Sequence, residues 1–257
     1  MKNYFVPAFL LLTTASFAQR VNQDSLVNES KKTEVWQPVP KPVTPGATAS
    51  EAPSDAIVLF NGTNLDSWVK ESDNKAPGWK LDGDGAMTVV KGSGNLKTKQ
   101  AFGNCQLHIE WREPSAIAGS SQSRGNSGIF FMGKYELQVL DSYNNPTYVN
   151  GQAGSIYKQH IPLVNASRKP GEWQSYDVIF TAPSFDAAGK VLSPARITVL
   201  HNGVLVQNNV AIKGSTQWIG QPSYEKHGDK EPIVLQDHGK DGGNPMSYRN
   251  IWVRELN

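Results

Sequence analysis

Apolar and polar residues alternate with a two-residue period through most of the chain beyond Ile57. Leu107, Ile109 and Trp111 interleave with Gln106, His108, Glu110 and Arg112. Tyr135, Leu137 and Val139 interleave with Glu136 and Gln138, and Tyr176, Val178 and Phe180 with Ser175 and Asp177. Successive side chains of a strand point to opposite faces, so each run predicts a strand with one core face and one polar face. Ile197 to Leu200 and Val204 to Val206 flank His201-Asn202-Gly203, and Asn-Gly between apolar runs predicts a tight hairpin. No amphipathic helix of three turns is visible, nor a repeat with a period of roughly 20–50 residues. The expected class is all-β: a sandwich or jelly roll of two packed antiparallel sheets over residues 56–257.

The N-terminal fifth reads differently. Lys2, the apolar run Tyr4 to Ala15 and the small residues Ser16 and Ala18 have the layout of an export signal cleaved before Gln19. Residues 1–18 are therefore expected to be a signal peptide, and the protein periplasmic or extracellular. Residues 19–55 carry Pro38, Pro40, Pro42, Pro45 and Pro53 among Ser, Thr and Ala, and are expected to form a disordered linker. No later stretch approaches about 20 apolar residues, so no membrane span is expected. With 257 residues, a net charge of +2 and no Lys/Arg block, the chain offers no footprint for nucleic acid. Cys105, the single cysteine, occupies an apolar position of its strand and reads as a buried thiol. Asp82-Gly83-Asp84-Gly85 lacks the remaining ligands of a calcium loop and reads as a turn. No cofactor is expected, with a structural or catalytic divalent cation left open.

Candidate chemistry lies on the polar faces. His108, Glu110 and Arg112 form either a solvated row of cross-strand ion pairs or the lining of a cleft. Glu136 and Gln138 share one face. Asp141 joins them only if a β-bulge adds a residue near Val139 or Leu140. Such a strand, Glu-x-Gln-x-x-Asp, would place two carboxylates where a glycosidase needs them. Asn126 precedes an apolar strand, and Gln236 and His238 share a strand face. Trp111, Trp173 and Trp252 fall in strand-like runs, whereas Trp68, Trp79 and Trp218 fall in loop-like contexts suited to flanking a ligand.

Leu59-Phe60-Asn61-Gly62-Thr63-Asn64-Leu65-Asp66-Ser67-Trp68 resembles the opening of a family of secreted bacterial domains. Further matches follow in order: Gly78-Trp79, Leu96-Lys97-Thr98, Glu110-Trp111-Arg112, Asn126-Ser127-Gly128, Tyr135 to Gln138 with Asp141, Gly171-Glu172-Trp173, Leu235 to Gly239 and Tyr248 to Ile251. The family is named for 3-keto-α-glucoside-1,2-lyase and 3-keto-2-hydroxy-glucal hydratase activity, and is also called the 3-keto-disaccharide hydrolase domain. The resemblance implies a concanavalin-type sandwich acting on oxidised glucosides by elimination and hydration. It implies Glu136, Asp141 and His238 as the acid/base set, with Arg112 and Asn126 on substrate or enolate oxygens and Glu110, Gln138 and Gln236 on the sugar. The segment Ser184 to Ser193 is longer than that family needs. The alternative is a non-catalytic carbohydrate-binding module, distinguished by an aromatic platform in place of carboxylates in a cleft.

Overall fold

The structure is a computed structural model that describes residues 23–239 and 245–256; the expected signal peptide, residues 1–18, lies outside the described residues. The chain divides into two compact units, Met1–Pro42 and Val43–Asn257. In the first, residues 23–31 are helical and exposed. Lys32 closes their last turn by pairing with Glu29 at 2.7 Å.

The second unit is a β-sandwich. Its strands are β1 (Ile57–Phe60), β2 (Trp68–Lys70), β3 (Lys80–Leu81), β4 (Met87–Thr88), β5 (Leu96–Phe102), β6 (Cys105–Arg112), β7 (Asn126–Phe131) and β8 (Tyr135–Leu140). Then come β9 (Gln174–Thr181), β10 (Ser184–Phe185), β11 (Val191–Ser193), β12 (Arg196–His201), β13 (Val204–Ala211), β14 (Glu231–Leu235) and β15 (Ser247–Glu255). One sheet has eight strands in the order β13-β12-β9-β6-β15-β4-β3, with β1 also on β15. The other has five, in the order β2-β5-β14-β7-β8. The long segment Ser184 to Ser193 forms a separate antiparallel hairpin, β10–β11. Asn202 and Gly203 take φ of 52° and 79°, the positive pair that a two-residue hairpin between twisted strands requires.

Alternation becomes packing as expected. Leu107, Ile109 and Trp111 of β6 and Tyr176, Val178 and Phe180 of β9 are all buried. They share one core with Ile129, Phe131, Leu137 and Val139 of the five-stranded sheet. Phe131 and Phe180 stack across the sandwich with centroids 4.7 Å apart. Each such side chain contributes about 1.5–3 kcal/mol by leaving water. Cys105 lies in this core, and burial pushes its thiol up to about 12, which removes it as a nucleophile at neutral pH.

The motif Leu59 to Trp68 is architectural. Leu59 and Phe60 are buried, and the buried Trp68 donates its indole N–H to the Leu59 carbonyl at 2.9 Å. Asn61 accepts from the Thr63 amide at 3.2 Å, and Gly62, at φ 91°, passes so close to Gly85 that an added Cβ would meet its carbonyl oxygen at 3.0 Å.

The linker expected over residues 19–55 is shorter than composition suggested, because residues 23–31 are helical and Val43 onward belongs to the sandwich unit. The Ser50 carbonyl accepts from Asn250 at 2.7 Å and from the Trp252 indole at 3.0 Å. The Ser54 amide donates to the Thr44 carbonyl at 2.9 Å. Proline excludes a segment from ladder pairing but not from docking through its carbonyls, which is why composition misjudged it.

Candidate active site

The polar face of the five-stranded sheet carries a cavity of about 650 Å³. Asn126 and Phe130 of β7 and Glu136 and Gln138 of β8 form its floor, with Gln236 and His238 following β14. Gln122, Tyr148, Tyr157, Thr216 and Trp218 come from loops. Parity puts Glu136 and Gln138 there, because Tyr135, Leu137 and Val139 on the opposite face are in the core.

β8 is the edge strand, and loop segments satisfy its outer edge. The Gln138 amide donates to the Ser155 carbonyl at 3.0 Å, and the Tyr157 amide donates to the Glu136 carbonyl at 3.2 Å. The Glu136 amide donates to the Thr216 hydroxyl at 3.0 Å, and the Thr216 amide to the Lys134 carbonyl at 2.8 Å. These bonds bring Tyr157 and Thr216 beside Glu136. The amides on the floor are interlocked. Gln138 donates to Asn126 Oδ1 at 3.1 Å, and Asn126 donates to the Gln122 carbonyl at 2.8 Å. Gln122 is tied to the Gly151 carbonyl at 2.9 Å.

Glu136 dominates the electrostatics. Its residue is 5% exposed, and no hydrogen-bond partner of its carboxylate occurs among the described residues. Burial pushes it up to about 8. Burial also raises Tyr148 and Tyr157, whose hydroxyls lie 2.6 Å apart, and the Glu136 charge adds to the rise in both. These phenols therefore stay neutral hydrogen-bond donors at any working pH. The Asp237 carboxylate accepts from the Gly94 and Gly239 amides, each at 2.9 Å, and so braces the turn that presents Gln236 and His238. The buried Gln236 Oε1 has no partner, an acceptor left open at the cavity.

Gly128 sits between Asn126 and Phe130 on the same face, paired with Gln138 across the ladder. An added Cβ there would lie 2.6 Å from Glu136 Oε1 and 2.8 Å from the Phe130 ring. The carboxylate thus lies over a bare backbone. Gly128→Ala is expected to displace it and lower kcat by about tenfold or more, with a stability loss of at most about 1–3 kcal/mol for overpacking. Wild-type kcat in that variant would show that the carboxylate's resting place is irrelevant.

Two expectations fail. Glu110 and Arg112 were expected to join this cleft, but β6 belongs to the eight-stranded sheet, so its polar face points out of the opposite side of the sandwich. There Glu110 bonds Arg249 Nε at 2.6 Å and Asn250 at 3.0 Å, and His108 bonds Asp177 at 2.7 Å while stacking on Trp252. Burial opposes the charge on Glu110, but the bonds from His108, Asn250 and Arg249 outweigh it and hold the carboxyl down to about 2. Arg112 pairs with Asp84 at 2.9 Å, and both Arg112 and Arg249 lie over Trp173. This is the row of cross-strand ion pairs.

Asp141 also leaves the set. The β7–β8 register runs without a shift, so no bulge returns Asp141 to the face of Glu136. It lies 2% exposed against Arg124, whose Nε donates to Asp141 Oδ2 at 2.8 Å. Burial raises its carboxyl, and Arg124 draws it back. Among the candidates, Glu136, Gln138, Asn126, Gln236 and His238 are brought together, and Asp141, Glu110 and Arg112 are not. Trp68 and Trp79 are buried, leaving the exposed Trp218 as the loop tryptophan at the cavity. Tyr148, Tyr157, Thr216 and Gln122 went unrecognised because loop residues carry no periodic signal. Among the described residues, no group of three or more His, Cys, Asp or Glu side chains is placed to hold a metal ion.

No curated protein matches the chain. A crystal structure from Parabacteroides distasonis ATCC 8503, provisionally named a glycosyl hydrolase, is 54% identical. It superposes with a TM-score of 0.84 over 88% of this chain and 96% of that one. A second protein from that organism, with the same provisional name, is 19% identical with a TM-score of 0.57 over 79% of this chain and 94% of its own, a likeness of fold. The family match and the 54% identical structure support a carbohydrate-active function. The profile of the 3-keto-alpha-glucoside-1,2-lyase-like domain matches residues 55–254, and the chain belongs to that family.

Proposed function

We propose that the protein cleaves 3-keto-glucosides by elimination across C1–C2 followed by hydration, on a concanavalin-type variant of the sandwich. One observation carries the reading: Glu136 is the single carboxylate lining the cavity among the described residues, buried and without a partner. Displacement at an acetal needs two carboxylates, one on each side of the bond. Elimination next to a ketone needs one base. The C3 ketone acidifies the C2–H, and Glu136 takes that proton. The electron pair is delocalised onto the ketone oxygen as an enolate, then forms the C1–C2 double bond as the C1–O bond breaks. The leaving oxygen gains a proton. Water then adds at C1 and a proton returns to C2, so the net change is hydrolysis.

No Lys or Arg lines the cavity among the described residues, so the enolate oxygen is held by side-chain N–H groups of Asn126 and Gln236, while Gln138, whose amide nitrogen is taken up by Asn126 and Gln122, fixes Asn126. The Tyr148–Tyr157 hydroxyl pair, neutral at working pH, is the donor toward the leaving oxygen, with His238 at the rim as the other acid. The raised affinity of Glu136 for protons suits a base acting on a carbon acid near neutrality.

Incubating the purified protein with 3-keto-trehalose or 3-keto-sucrose is expected to release the second sugar with transient enone absorbance, while unoxidised trehalose stays intact. Cleavage of trehalose itself at a comparable rate would remove the ketone, and with it the elimination, from the mechanism. The export reading of residues 1–18 places this activity in the periplasm or outside the cell. Mass spectrometry of the protein recovered from its native compartment should then show an N-terminus at Gln19, and an intact Met1 would refute export.

A further inference from the structure

We infer that the site extends into a second sugar-binding subsite, which holds the neutral leaving-group pyranose between Tyr148 and the loop around Trp218; this rests on the elimination reading above. A second cavity of about 290 Å³ adjoins the first and shares Tyr148 and Tyr157 with it. The phenol pair is therefore the boundary between two chambers, where the bond joining two sugars would cross. Lys158, Gln217 and Gln221 line the far side.

Three features mark this side as built for a ligand. Trp218, 74% exposed, lines the first cavity, and Tyr148, 40% exposed, lines both. An aromatic face beside amide side chains suits a pyranose, which presents C–H groups on its faces and hydroxyls around its rim. Lys158 is held at φ 58°, a conformation that costs energy in a residue with a side chain. Its backbone is fixed by donation to the Asn150 carbonyl at 2.8 Å. Its ammonium donates to the Trp218 carbonyl at 2.5 Å and lies 5.8 and 5.6 Å from the Tyr148 and Tyr157 ring centres. Lys158 thereby ties the tyrosine loop to the tryptophan loop and sets the width of the chamber. With this cation already engaged and no carboxylate lining the chamber among the described residues, the ligand that fits is an uncharged sugar.

The test compares two substrates of the full chain: 3-keto-trehalose, which has a leaving sugar, and methyl 3-keto-α-glucoside, which does not. The pair Gln217→Ala/Gln221→Ala, which lines the second chamber and not the first, is expected to lower kcat/KM for the disaccharide by about tenfold and for the methyl glucoside by less than about twofold. Equal losses on both substrates, or none on the disaccharide, would overturn the subsite. If the unmodified protein cleaves neither compound, the elimination reading falls, and calorimetric titration decides the subsite. In that case tighter binding of trehalose than of methyl α-glucoside, by about tenfold and abolished by Gln217→Ala/Gln221→Ala, upholds it. Equal affinities, or no binding of either, reject it.

Discussion

Glu136→Gln is expected to lower turnover of 3-keto-trehalose by at least about a hundredfold, the scale set by loss of a positioned acid/base group, while leaving the fold intact. The same substitution should make the protein more stable at neutral pH. The ordinary Glu value of 4.5 rises to about 8 in the folded protein because burial disfavours the charge. Between those values the folded state keeps a proton that the unfolded chain releases, so stability falls as pH rises from about 4.5 to about 8. Gln carries no such charge, and at pH 7 the variant gains about 3 kcal/mol relative to wild type, a gain that vanishes by about pH 4. Glu113, also pushed up to about 8 by burial, contributes a parallel decline that remains in the variant. The activity profile has a definite sign as well. With Glu136 as base, kcat/KM should climb about tenfold per pH unit toward pH 8 and level off above it. A profile flat below pH 8 and falling above it would make Glu136 an acid. Near-full turnover in Glu136→Gln would remove it from the chemistry.

The second large effect is expected at Arg124. Arg124 and Asp141 are 5% and 2% exposed, and the guanidinium also donates to the Tyr143 carbonyl at 3.1 Å. Arg124→Met leaves the Asp141 carboxylate buried and unpaired, beside Glu113, whose two oxygens already lack hydrogen-bond partners. Breaking a buried pair from one side costs about 3–5 kcal/mol, which in a domain of this size lowers Tm by about 10 °C. Arg124→Met/Asp141→Leu should recover most of the loss, because replacing both charges with apolar groups avoids the uncompensated one. Equal Tm for wild type and Arg124→Met would show that the pair is not coupled to the fold. The single variant should also raise KM. Asn145 donates to the Asp141 carbonyl at 2.6 Å and accepts from the Ser121 amide at 2.8 Å, so the pair anchors the loop that carries Gln122 into the cavity. A raised KM would make Asp141 a positioning residue that supports the Gln122 loop.

The assignments that held share a property. Parity along β8 separated Glu136 and Gln138 from Leu137 and Val139, and it did so because successive side chains alternate whatever the strand packs against. Asn202-Gly203 marked its hairpin through local backbone preference, and Cys105 was read as buried from its neighbours alone. Family membership was legible because nine short motifs keep their order within residues 55–254. Several of those motifs mark architecture and not chemistry: Trp68 and Asp237 each hold a turn in place, with Asp237 presenting two neighbours to the cavity.

Alternation along a strand is set by covalent geometry within a few residues, so the sequence alone determined the strands, their inner faces and the polar rows opposite. Which sheet each strand joins is a choice among hydrogen-bonding partners far apart in the chain, and only the tertiary structure decided it. The polar rows of β6 and β8 have the same pattern, yet β6 pairs with β9 and β15 while β8 pairs with β7, so Glu110 and Glu136 face away from each other. The same holds for the loops. Tyr157 reaches Glu136 through a backbone bond to the edge of β8, and Thr216 is held by a backbone bond to Lys134 just before it; such bonds are made by N–H and C=O groups that nearly every residue type carries.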